Sequence, residues 1–238
     1  MDERVVHWWR RQVEFAGMPR MDPHLGHLNP VAAVILAAGG SSRLGRPKQL
    51  LPLAGEPILM HVLRNAAKST LDEIVLVLGD QADKIAAAVG EWGQRTVVNP
   101  DVAAGQSASL RAGVSVLAPD VDAVLILLGD QPTVSAAAID AVIAARRAGA
   151  GIAMARYNDD LRHPVLCGRE FFPELLAVRG DFGAQTVLAA HAELIVGVPI
   201  LDGLAPKDVD TEADYQTLVR TWRAPLQEAV CQLPPEQV

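Results

Sequence analysis

Apolar and polar positions change rhythm repeatedly along this chain, and from residue 31 they do so in a regular order. The run Val31–Ala38 is apolar throughout, which predicts a strand covered on both faces. Pro57–Lys68 repeats its apolar residues at helical spacing, with Pro57 suited to a first turn. Strand patterns recur at Glu73–Gly79, Thr96–Asn99, Ala123–Leu128 and Gly151–Arg156. Helical patterns fall between them at Ala82–Val89, Ser107–Leu117 and Ser135–Ala148, the last with Ser135 placed to cap it. After Tyr157 the order loosens. His163–Leu166 and Glu193–Pro199 read as strands, and Phe171–Val178, Gly183–His191 and Glu212–Trp222 as helices.

Repeated β-α order predicts an α/β fold with a mostly parallel, doubly wound (Rossmann-like) sheet. Ligands in such sheets bind outside the carboxyl ends of the strands. The loop after Ala38, the Asn99-Pro100 turn and the Gly129-Asp130 turn all fall at such ends. The domain is expected over residues 31–222, after an extension of residues 1–30 and before a frayed, proline-rich tail of 223–238.

Composition narrows the classes. Half the chain is hydrophobic but only 4% is aromatic, so the core rests on Ala, Val, Leu and Ile. The net charge of −7 argues against nucleic acid or an anionic membrane as partner. No apolar run reaches spanning length, and no signal-type apolar core follows the charges near the amino terminus. Cys167 and Cys231 lie far apart without metal or redox spacing, so a reducing cytoplasm is expected. His7, His24 and His27 match no common metal-site spacing.

The segment Gly39-Gly-Ser-Ser-Arg43-Leu-Gly-Arg-Pro-Lys48 concentrates candidate chemistry. Glycines let backbone approach a ligand closely, and consecutive N–H groups beside cationic side chains form an anion site. The ligand this suggests is a nucleotide polyphosphate. A P-loop would need Lys-Ser/Thr after Gly45, where Arg46-Pro47 stands instead. Asp130, at the end of the most apolar strand, reads as a Mg²⁺ ligand or as a turn residue. Asp208 and Asp210 precede a helix and read as cap and metal contact, with Thr211 competing as cap. Ser107 and Ser109 cap a helix or reach a base or ribose. His163 is a turn residue or touches a second substrate, and the Gly180–Gly183 turn caps a helix or faces that substrate.

Taken together, Leu36-Ala-Ala-Gly-Gly-Ser-Ser-Arg43-Leu-Gly-x-x-Lys48 resembles the signature of the sugar-nucleotide-type nucleotidyltransferases. Leu128-Gly-Asp-Gln-Pro132, Arg162-His-Pro-Val165 and Asp208-Val-Asp-Thr211 resemble the molybdenum cofactor cytidylyltransferase branch of the MobA-like NTP transferases, over about residues 31–220. The resemblance implies transfer of CMP from CTP to molybdopterin cofactor, with release of pyrophosphate. It assigns the nucleotide to Leu36, Ala37, Ala38, Gly39, Gly40, Ser41 and Ser42, with Gly79, Asn99, Gly105 and Ser109. Arg43 and Lys48 neutralise the triphosphate, and Asp130 and Asp210 hold Mg²⁺, with Asp208 behind them. His163 and Asp181 face the acceptor. Arg162 stands where relatives carry glycine, which leaves the acceptor open. The alternatives are GTP or another phosphorylated acceptor on the same scaffold, a chaperone handing cofactor to a molybdenum hydroxylase, or a relative of the nicotine-catabolism oxidoreductases that share this branch.

Overall fold

The computed structural model describes residues 29–41, 44–93, 95–201 and 204–231, with side chains as far as residue 222. A seven-stranded sheet runs through it in the order β5-β4-β1-β6-β8-β7-β9. These are β1 (Val31–Leu36), β4 (Glu73–Leu78), β5 (Thr96–Val98), β6 (Ala123–Leu128), β7 (Ile152–Tyr157), β8 (Asp160–Gly168) and β9 (Ile195–Pro199). A two-stranded hairpin, β2 (Pro52–Leu53) and β3 (Glu56–Pro57), stands apart. The helices are α1 (Ile58–Lys68), α2 (Ala82–Val89), α3 (Gln106–Val114), α4 (Ala136–Arg147), α5 (Phe172–Ala177), α6 (Gln185–Ala190) and α7 (Glu212–Cys231).

Every residue of β1 is buried, as its unbroken apolar run requires, yet its side chains still alternate. Val31, Ala33 and Ile35 join Leu59 and Leu63 of α1, Ile85 of α2 and Val142 of α4 in one core layer. Val34 and Leu36 join Leu110 of α3, Leu175 of α5 and Val187 of α6 in the other. Each fully buried leucine in these layers contributes about 2 kcal/mol through the area it removes from water.

The sheet is mostly parallel, as expected: β1 pairs in parallel with β4 and β6, β4 with β5, and β7 with β9. The chain winds from β1 outward to β4 and β5, then returns to place β6 on the other side of β1. The carboxyl ends of β1 and β6 therefore flank the point where winding reverses, which is where such sheets bind ligands.

Several expectations are corrected. The short strand at His163–Leu166 is part of the longer β8, antiparallel to both β6 and β7. The helix expected over Ser107–Leu117 spans Gln106–Val114. Pro57 precedes α1 and pairs in β3. The helix expected to stop at Trp222 runs on to Cys231. Residues 1–28, Ser42, Arg43 and 232–238 lie outside the described residues. Ser135 caps α4 as expected, its hydroxyl accepting the Ala138 N–H at 3.1 Å.

Candidate active site

The loop after β1 is braced from below. Gln49, buried to 2% exposure, donates its amide to the carbonyls of Ala37 (2.7 Å) and Gly39 (3.2 Å). Ser41, in the left-handed region at φ 49°, accepts the Lys48 backbone N–H at 2.9 Å. Gly39 and Gly40 are left exposed at the crest. This shape follows from a strand that must end where apolar residues stop, and from a single buried amide that ties the turn to the residues after it.

Across the reversal point, Asp130 follows β6 and is 5% exposed. Lys48 Nζ lies 2.6 Å from Asp130 Oδ2 and 2.9 Å from Asp210 Oδ1. Burial opposes the Lys48 ammonium, but the two carboxylates outweigh it and hold its pKa above the ordinary lysine value. Burial pushes the Asp130 carboxyl upward, and Lys48 offsets only part of that. The Val209 N–H also points at Asp130 Oδ2, at 3.3 Å. Asp208 turns instead to Gln131, accepting its amide N–H at 2.7 Å. Helix α7 is capped by Thr211, whose hydroxyl accepts the Asp214 N–H at 3.2 Å.

The segment carrying these aspartates is anchored by α7. Val209 and Tyr215 pack with Leu51, Leu53 and Ile58, and the Tyr215 hydroxyl donates to the Pro52 carbonyl at 2.6 Å. Arg46 pairs with Glu212 at 3.1 Å and lies over the Tyr215 ring at 5.9 Å. The glycine-rich loop and the second aspartate are thus tied to one helix.

A divalent cation fits this donor set. Two carboxylate oxygens converge on one nitrogen that itself carries positive charge. Mg²⁺ takes one or two carboxylates and completes its shell with phosphate and water oxygens. No cluster of three or more His, Cys, Asp or Glu able to hold a metal occurs among the described residues.

The other predicted positions fall on the same rim. Gly79 ends β4 where a Cβ would sit 2.6 Å from the Ala38 carbonyl oxygen, so only glycine lets the two loops touch. Asn99 (3% exposed) donates its amide to Ser109 Oγ at 3.0 Å, and its carbonyl accepts the Asp101 N–H at 2.9 Å. Ser109 is itself buried, so this pair stiffens the entry to α3 from beneath. Gly105 opens α3 at φ 86°, tight against the Gly180 carbonyl and Asp181.

Beside the carboxylates opens a cleft of about 650 Å³ whose walls include His163, Arg162, Gln131, Asp208, Phe182 and Met154. Burial pushes the His163 imidazole down to about 4, against the attraction of Asp208, so it is neutral near pH 7. The His163-Pro164 bond is cis. Gln131 Oε1 is buried without a hydrogen-bond partner while its amide nitrogen is held by Asp208. Gln49 and Gln131 carry much of this geometry, and residue type alone singled out neither. Gln131 stood inside the Gly-Asp-Gln-Pro motif, where its spacing from Asp130 was the one available signal. Cys167 is buried in β8, and burial lifts its thiol to about 12, which leaves it unreactive.

A doubly wound sheet with a glycine-rich loop and a lysine at the reversal point is the arrangement of an α/β protein that takes an anionic ligand there. The comparisons place it further. The profile of the MobA-like NTP transferase domain matches residues 33–194, and the chain belongs to that family. Nicotine blue oxidoreductase of Paenarthrobacter nicotinovorans is 32% identical over 198 residues, 79% of this chain and 96% of that protein. The crystal structure of Rv0371c from Mycobacterium tuberculosis H37Rv is 35% identical, with a TM-score of 0.75 over 81% of this chain and 98% of that one. A further structure of Rv0371c is a complex with manganese. A nucleotidyl transferase from Methanothermobacter thermautotroptrophicus, 24% identical with a TM-score of 0.69, shares the fold over 82% of this chain and 98% of its own. No helix among the described residues is long and apolar enough to cross a membrane.

Proposed function

We propose that this protein transfers CMP from CTP to the phosphate of molybdopterin cofactor in a Mg²⁺-dependent reaction. The observation that carries the proposal is the convergence of Asp130 and Asp210 on Lys48 at the sheet's reversal point, beside an open cleft. A phosphate oxygen of the acceptor attacks the α-phosphorus of CTP in line; the bond to the bridging oxygen breaks and pyrophosphate leaves. That oxygen is already ionised near pH 7, so positioning and charge neutralisation supply the rate and no strong base is required. Asp130 and Asp210 would hold Mg²⁺, which would supply charge neutralisation for the phosphates.

The chain's own groups do the rest. Backbone from Leu36 to Ser42 cradles the triphosphate, with Arg43 and Lys48 as its cations. Gly79, Asn99, Gly105 and Ser109 shape the base pocket. Neutral His163 offers one donor and one acceptor to the second substrate, with Asp181 as a further acceptor contact. The free, buried Cys167 suits a reducing cytoplasm.

Equilibrium binding of CTP, GTP, ATP and UTP, with and without Mg²⁺, tests the proposal. Mg²⁺-dependent preference for CTP supports it, and preference for GTP keeps the mechanism and changes the product. No binding of any nucleotide by folded protein overturns it. One observation favours a second reading: a relative of nearly the same extent is named an oxidoreductase. A coloured, flavin-loaded preparation that binds no nucleotide would favour that reading.

A further inference from the structure

Lys48 stands where two carboxylates would otherwise need another cation. Its nitrogen is 2.6 Å from Asp130 and 2.9 Å from Asp210, and its side chain is only 17% exposed. Asp130 is buried while the Asp210 side chain is 40% exposed, so an ammonium and a divalent ion compete for the same two carboxylates, and their mutual repulsion is least screened on the Asp130 side. The backbone of Lys48 is fixed by Ser41, and beyond it the four-carbon stem has rotatable bonds that can re-aim the ammonium. That stem already runs beside the glycine-rich loop, with Cε 3.9 Å from where a Cβ on Gly39 would sit. A short swing therefore carries the ammonium from the carboxylates to an anion resting on the loop.

We propose that Lys48 is the built-in counter-ion of the metal site. Without nucleotide its ammonium fills the gap between Asp130 and Asp210 and keeps a divalent cation out. A triphosphate on the loop draws the ammonium away and opens the gap. This rests on the nucleotidyl-transfer reading for the identity of the anion. It adds that cation and nucleotide bind as a pair, each tightening the other by the same factor. An idle enzyme then keeps its two carboxylates neutralised without sequestering metal.

The test is Mn²⁺ binding to nucleotide-free protein, read as loss of the free-ion electron paramagnetic resonance signal. The wild type is compared with Lys48→Met, which fills the same volume without charge. The variant is expected to bind Mn²⁺ about tenfold more tightly or better. Adding Asp210→Asn to it should remove the gain. Equal or weaker Mn²⁺ binding by Lys48→Met overturns the proposal, as does a gain that survives Asp210→Asn. Should Lys48→Met not fold, Lys48→Gln replaces it, since its amide still donates to one carboxylate. The readout needs neither nucleotide nor turnover. Tighter Mn²⁺ binding together with no affinity for any nucleoside triphosphate would sink the transferase reading and leave the exclusion of metal standing. Nucleotide binding without the Mn²⁺ gain would do the reverse.

Discussion

Strand β6 has a cation held between two carboxylates at each of its ends, and the two are built differently. At the amino end Arg146 bonds Asp122 through Nε (2.8 Å) and a terminal nitrogen (3.1 Å), and Glu170 through both terminal nitrogens (2.9 and 3.2 Å). At the carboxyl end Lys48 reaches one oxygen each of Asp130 and Asp210. The arginine fork is planar, permanently charged and matched to its partners along two edges, so it acts as a staple. The lysine is a point charge on a turning stem, so it can be exchanged. The staple sits at the end of the sheet where no ligand loops gather, and the exchangeable cation at the end where they do.

The largest effect expected is at the carboxyl end. Asp130→Ala should lower pyrophosphate release from the accepted nucleotide by roughly 10³-fold. An equal loss in Asp122→Ala, measured per folded molecule, would break the contrast. Lys48→Ala should lower turnover by about 10²-fold while moving the melting midpoint only a few degrees. Normal turnover in that variant would remove Lys48 from the machinery.

Arg146→Ala should show the opposite pattern, costing about 2 kcal/mol in urea unfolding with turnover per folded molecule unchanged. Arg146→Lys should recover less than half of that cost, because one ammonium cannot bond along two edges. Full recovery would mean that charge alone matters at the staple.

A further effect, spread over several pH units, is on the pH dependence of stability. The folded state holds His163 neutral, with its pKa at about 4 against an ordinary value of 6.5. Below pH 6.5 the unfolded chain takes up a proton that the folded protein refuses until near pH 4. The stability associated with His163 is therefore complete above pH 6.5 and is lost as pH falls toward 4. His163→Gln should flatten that slope by up to one proton. An unchanged slope in denaturant titrations would show that the imidazole is hydrated.

Much of this is legible in the sequence. The unbroken apolar runs of β1 and β6 and the mixed spacing of α1 can be buried in few ways, and they placed the glycine-rich loop and Asp130 at one rim. The hairpin of β2 and β3 was missed because two-residue strands carry no period. The antiparallel course of β8 was missed because alternation of side chains is the same whichever way a strand runs. The roles of Gln49 and Gln131 are not legible in the sequence, because their amides act on backbone and side chains that only folding brings near.

The sequence by itself determined which segments are buried, the layered α/β class and the residue types available at the carboxyl rim. These follow from local periodicity and from the chemistry of single side chains. Only the tertiary structure decided that Lys48 pairs with Asp130 and Asp210, which lie 82 and 162 residues away along the chain. It likewise decided that Asp208 turns to Gln131, and that Arg146 closes the opposite end of β6. Partner choice among charged groups depends on which strands become neighbours. That neighbourhood is selected by the burial free energy of the whole sheet, which no short window of sequence contains.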